Sequence, residues 1–276
     1  MRIGLVAQWL RAGFEHAESR ATAWRYAAGV SAVQLGWLAR LALPEELGVA
    51  SFLLLVALEL AVPFWAERTG STLWHPHHIA ERYGLFTIIL LGESVLAATL
   101  GVQDALAAGG VSGNLVLVSS AALVALFALW WLYFLEPAGE GLSVKRGRSY
   151  LWGYGHYGVF AALAALGAGL EVAVADAGHH LDVPRVALGY AVALPVGIFL
   201  LLLWAVHAVL ETRSRIRPAV ILPAAAVVLL LPLAAGTLGV TALVVLIAAL
   251  CVFVVVVTLT DQARRGRRSG QLAGIQ

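Results

Sequence analysis

Four stretches of this chain, at positions 105–135, 149–170, 186–210 and 218–260, contain no Asp, Glu, Lys or Arg. A helix needs ~20 apolar residues to cross the hydrocarbon core of a bilayer, and each stretch meets or exceeds that length. No water-soluble core accounts for four such runs. The last is long enough for two passes, with Pro232 and the Gly236 to Gly239 segment supplying a turn in its middle. Composition agrees: 61% of the residues are hydrophobic, 12% are charged and the mean hydropathy is +0.87, whereas soluble chains carry about 25% charged residues. The expected fold is all-α, a single polytopic transmembrane helix bundle over 1–276. About eight spans are predicted, at 23–43, 46–66, 79–102, 113–135, 150–174, 184–210, 218–235 and 238–260.

Positive charge tests this threading, because short cytoplasmic loops collect Lys and Arg. Arg11, Arg20, Arg25, Arg68, Arg82, Lys145, Arg146, Arg148, Arg213, Arg215, Arg217, Arg264, Arg265, Arg267 and Arg268 fall on one side. Only Arg40 and Arg185 fall on the other, with Arg2 unassigned. The bias predicts an even number of spans with both termini cytoplasmic. Trp24, Trp65, Trp74, Trp130, Trp131 and Trp152, near predicted span ends, suit interfacial belts. The basic tail from 261 to 276 reads as a disordered cytoplasmic end. The single cysteine, Cys251, excludes an intrachain disulfide and a cysteine zinc site. Loop arginines in such a chain report orientation, so no nucleic-acid partner is expected.

Ionisable groups enter one apolar segment. In HHIAERYGLFTIILLGESVL, Glu81 and Arg82 stand at the mouth and Glu93 near the middle. A carboxylate in hydrocarbon costs several kcal/mol unless it is protonated, paired or facing a polar cavity. Arg82 and Glu93 lie on nearly one helix face but about 16 Å apart along the axis, too far to pair. Glu93 is either a proton- or cation-coupling carboxylate, with Arg82 neutralising a cavity, or a hydrogen-bond anchor between helices. Gly92 and Ser94 beside it suit close helix packing. Glu59, four residues before Pro63, is a second carboxylate inside a span; two such groups facing each other could share a proton.

This segment resembles the hallmark of the low temperature requirement A family of bacterial membrane proteins, roughly H-x-x-E-R-[FY]-G-L-F-T-I-I-x-L-G-E-[ST]. It is matched by His78, Glu81, Arg82, Tyr83, Gly84, Leu85, Phe86, Thr87, Ile88, Ile89, Leu91, Gly92, Glu93 and Ser94. The resemblance implies a multi-pass protein of the bacterial inner membrane. Family members typically begin with a helix carrying a motif like E-L-F-F-D-L-V-F-V, which this chain lacks, so it is expected to be truncated at its amino end. The resemblance further suggests two parallel six-helix repeats, with 1–78 the remnant of the first, 79–260 the second and 261–276 the tail.

Other polar groups are weighed on chemistry. His156, in YLWGYGHYGVF, and His207, near the end of the sixth span, could ligate haem or a metal, but they are far apart in sequence and read better as helix-packing histidines. His75, His77 and His78 form the nearest thing to a metal cluster, without a second element to complete it. No metal or other cofactor is expected. The only lysine, Lys145, is in a loop, which excludes a retinal Schiff base, and no phosphate loop, nucleophile elbow or dinucleotide motif is present. No enzymatic activity is expected. The leading expectation is a secondary transporter or permease for a small solute or ion, proton-coupled through Glu93 and Arg82, with Glu81, His78 and Glu59 as further polar-site residues. Pro195, Pro223 and Pro232 would allow broken helices. The alternative is a non-transporting stress or envelope factor binding lipid or a protein. Expected partners are membrane lipids and that solute or ion, with self-association left open.

Overall fold

The computed structural model describes residues 1–70, 74–178, 181–210 and 215–273, and every regular element among them is helical. Arg213 lies outside the described residues. Contacts divide the chain into two units, Met1–Trp74 and His75–Gln276.

In the first unit, α1 (Arg2–Glu15), α2 (Arg20–Arg40) and α3 (Gly48–Ala66) follow one another through short turns. Trp9 stacks on Tyr26 at 4.2 Å, and the Arg20 guanidinium donates to the Gly13 carbonyl at 3.0 Å, fixing the α1–α2 turn. At the far end of α2, Arg40 donates to the Gly48 carbonyl at 3.0 Å. Thr22 and Tyr26 tie the other end of α2 to Gly70 and Glu67, just after α3. Those ties make α2 and α3 antiparallel.

The second unit holds α4 (Pro76–Gly109), α5 (Gly113–Phe134), the short α6 (Ala138–Val144), α7 (Ser149–Gly178), α8 (Arg185–Leu210), α9 (Pro218–Leu230), the four-residue α10 (Ala235–Leu238) and α11 (Val240–Ala273). A 3-10 turn at Leu231–Ala234 contains Pro232, whose ring cannot continue the ladder, and Gly239 at φ +77 makes the sharp entry to α11. Helix α7 is the centre of the unit, packed against both α4 and α8, with Leu163, Leu166, Leu170, Phe199, Leu200 and Leu203 all buried. Pro195 has no N–H, so the Ala191 carbonyl loses its helical donor. Gly169 of α7 lies against that oxygen, so close that a Cβ there would overlap it.

Seven helices among the described residues are long and apolar enough to cross a membrane, and they coincide with seven of the eight expected spans. The eighth, 23–43, falls on α2, which is not among the seven. Its 21 residues reach about 32 Å, but Arg20, Arg25, Ser31, Gln34 and Arg40 dilute its apolar character. The structure departs from expectation at two other places. The tail does not fray at residue 261, because α11 continues to Ala273; Asp261 pairs with Arg265 one turn on and with Arg217 at the start of α9, each at 2.7 Å. Trp152 is no belt residue: it is 1% exposed, inside the unit.

Candidate functional site

The hallmark helix does not carry its polar residues inward. On α4, Leu91, Ser94 and Thr87 are buried, and Ser94 donates to the Leu163 carbonyl of α7 at 3.3 Å. Glu93 faces the other way, exposed among Ile89, Val95 and Leu96, with no hydrogen bond or ion pair among the described residues. A Cβ added at Gly92 would meet nothing within 4 Å, so the close packing expected there holds at Ser94 only. Arg82 is also exposed and lines an aromatic groove with Tyr83, Phe86, Tyr157 and Phe160. His78 and Glu81 approach to 4.0 Å as an exposed pair. Glu59, in the first unit, accepts from Arg2 through one oxygen and from the Trp37 indole at 3.0 Å through the other. Its carboxylate is thereby satisfied as a packing anchor.

The buried ionisable groups are elsewhere, at the end of the second unit where α4 begins, α5 ends, α7 begins and α8 ends. His156 is fully buried, its ring 4.2 Å from that of Trp152 and 4.9 Å from that of Tyr83. Its Nδ1 lies 2.8 Å from the Trp152 carbonyl and its Nε2 3.2 Å from the Tyr133 hydroxyl. The carbonyl can only accept, so Nδ1 carries the proton and Nε2 accepts from Tyr133. This histidine is complete as a neutral ring.

His207 is different. Its Nδ1 lies 2.9 Å from the Leu203 carbonyl and its Nε2 3.2 Å from the Glu136 carbonyl. Both partners are acceptors only, and a neutral imidazole has one N–H, so both contacts are hydrogen bonds only in the imidazolium. The balancing charge is at hand. Glu136 is 4% exposed, and its Oε1 accepts from the Ile216 N–H at 2.7 Å, one residue before the cap of α9, whose positive dipole end also favours the carboxylate. His156 and His207 stand on the successive helices α7 and α8, 51 positions apart in sequence; folding brings both to this layer.

A cleft of about 240 Å³ opens beside the cluster. His77 and Glu81 of α4 border it on one side, Tyr133, Glu136, Trp152 and His207 on the others. Gly139 leaves room for the His77 ring, which a Cβ there would overlap. Glu136 is the residue that sequence reading missed. Its signal was slight: an acidic residue before Pro137, at the end of a charge-free run, reads as a span terminus.

No three His, Cys, Asp or Glu side chains converge as metal ligands among the described residues. The donor set is one of buried acid, imidazole and phenol groups in a helical bundle, which can hold and pass a proton. The fold and cluster together define a polytopic α-helical membrane protein with an ionisable centre inside its helices. The model of the bacterial low temperature requirement A protein (LtrA) family matches residues 1–259, and the chain belongs to that family. No curated protein and no solved structure matches it.

Proposed function

We propose that this chain is a proton-coupled secondary transporter of a small solute or ion, with its polar focus at His207 and Glu136. The carrying observation is the His207 ring, set between two carbonyl oxygens beside a buried carboxylate and next to an open cleft. Ionisable groups kept inside membrane helices are costly and mark proton and substrate paths. The cleft lies at the end of the unit that gathers Arg82, Lys145, Arg146, Arg148, Arg215 and Arg217. By the positive-inside bias that end faces the cytoplasm of a bacterial inner membrane, and α2 completes an even count of spans with both termini on that side.

A second reading, a membrane factor that binds a neighbour and transports nothing, is favoured by Glu93 and Gly92. They leave a polar, open spot on the outward face of α4, where a carboxylate in lipid calls for a covering group. Liposomes containing the full chain and an internal pH dye separate the two. Gradients of small cations, anions and neutral solutes are imposed in turn. Transport requires that at least one gradient drive proton movement in the parent protein, and that His207→Gln abolish it. Silence of the dye under every gradient would remove transport in favour of the second reading.

A further inference from the structure

We propose that the groove between the starts of α4 and α7 holds a phospholipid with an anionic headgroup, its phosphate on the Arg82 guanidinium and its upper acyl chain along the rings of Phe86, Tyr157 and Phe160. The inference goes beyond the transport reading and holds with or without it. The groove measures about 450 Å³, larger than the cleft beside His207. Arg82, Tyr83 and Phe86 of α4 form one side, and Gly153, Tyr157 and Phe160 of α7 the other. Tyr83 meets Trp152, Phe86 meets Phe160 and Ser94 meets Leu163, so the two helices run parallel and the groove leads inward from their common end. Arg82 brings positive charge to a lining otherwise made, among the described residues, of aliphatic and aromatic side chains and Gly153. The neighbouring carboxylate, Glu81, borders the His207 cleft instead and lies 4.0 Å from His78.

Depth matches the charge to a headgroup and the rings to hydrocarbon. Helix α4 has 34 residues and α7 has 30, lengths of about 51 and 45 Å against a hydrocarbon core of about 30 Å. Centred on that core, α4 extends about 10 Å and α7 about 7 Å beyond it at each end. Arg82 lies about 9 Å into α4 and Gly153 about 6 Å into α7, both at the level of the phosphates. Phe86 and Phe160, about 15 and 16 Å in, lie within the hydrocarbon. Packing sets the floor: Phe86 meets Phe160 edge to face at 4.7 Å, and Tyr83 stacks on Phe160 at 5.9 Å. Gly153 has no side chain to close the groove at the level of Arg82, and a Cβ there would come within 2.9 Å of the Tyr83 hydroxyl. Tyr157 is 61% exposed and Phe86 45%, so a chain can reach both rings. Tyr150, Tyr154 and Tyr157 stack in succession along α7, an aromatic stripe suited to the membrane interface. Lys145, Arg146 and Arg148 precede α7 at the same end and add to the field that draws an anionic lipid there.

Native mass spectrometry of the full chain in detergent, titrated with dioleoylphosphatidylglycerol or dioleoylphosphatidylcholine, tests this. The expected result is a first phosphatidylglycerol held about fivefold tighter than phosphatidylcholine, the preference that one guanidinium near a lipid surface supplies. Arg82→Gln should bind the two lipids equally, while Arg82→Lys, which keeps the charge, retains most of the preference. Tyr157→Ala at the exposed wall should weaken both lipids severalfold and leave the preference intact. Arg264→Gln on α11 controls for attraction by the basic tail and should bind as the parent does. Inorganic phosphate in large excess should not displace the lipid. No preference for phosphatidylglycerol in the parent, a preference unchanged in Arg82→Gln, or displacement by phosphate alone overturns the proposal. So does a dimer that Arg82→Gln dissociates and lipid does not, which would give the groove to a second copy. Should Arg82→Gln fail to fold, Tyr157→Ala carries the test, and unchanged binding of both lipids overturns the site.

Discussion

The Nε2 of His207 lies 3.2 Å from the carbonyl oxygen of Glu136, joining the end of α8 to the turn after α5 across 71 positions of sequence. The same glutamate reaches forward to the Ile216 N–H at 2.7 Å, so one residue fixes three segments at one end of the second unit. Removing its side chain takes the Oε1 acceptor away from the buried Ile216 N–H. Glu136→Ala should therefore lower stability by about 1–3 kcal/mol, and Glu136→Gln, which keeps an acceptor oxygen, by clearly less. Thermal unfolding in detergent ranks the two; equal losses would mean that the Ile216 contact contributes nothing.

Tyr133 and His156 form the second pair, with the phenol donating to a fully buried ring nitrogen. Tyr133→Phe strands that nitrogen and should cost about 1–3 kcal/mol. A double-mutant cycle with His156→Phe should give a coupling of at least about 0.5 kcal/mol, as for residues in direct contact. Additive losses would deny the hydrogen bond.

Two glycines predict opposite outcomes. Gly169 abuts the Ala191 carbonyl that Pro195 has freed, so Gly169→Ala forces α7 and α8 apart at a cost of about 1–3 kcal/mol. Gly92 faces open space, and Gly92→Ala should be neutral or stabilising by about 0.5–1 kcal/mol, from helix propensity alone. Unfolding midpoints of the two variants, measured side by side, check the packing directly.

These contrasts show what the sequence could and could not disclose. The spans were legible because hydrocarbon thickness fixes their length, and seven of eight expected positions hold suitably apolar helices. The turn at Pro232 and Gly239 was legible because a missing N–H and a positive φ leave few alternatives. The inward face of α4 was not. In lipid both faces of a helix are apolar, so hydropathy does not say which side meets protein. Glu93 drew attention through its depth in the run, and its exposure depends on how α4 packs on α7. Glu136 escaped because its role comes from Ile216 and His207, 80 and 71 positions away.

Trp152 is buried between His156 and Tyr83, and its indole N–H has no hydrogen-bond partner among the described residues. Trp152→Phe removes an unsatisfied donor together with some packing, so its cost should stay well below the roughly 3–5 kcal/mol expected of Trp152→Ala. Comparable unfolding midpoints for the two variants would mean that ring packing is not what the indole supplies.

Glu93→Gln should leave gradient-driven proton movement in liposomes unchanged, because Glu93 lies on the outward face and the cleft is lined without it. The liposome assay on this variant checks the reassignment of the polar focus, and a loss comparable to that of His207→Gln would return it to the hallmark helix.

The most direct test of the central claim is nitrogen NMR of the histidine-labelled protein in bilayers, with His207→Gln and His156→Gln to assign the signals. The account predicts that His207, alone of the two, reaches a state with both ring nitrogens protonated, because both face carbonyl oxygens, while His156 stays the neutral Nδ1–H tautomer. A His207 ring that stays neutral with a single N–H throughout the titration would contradict it.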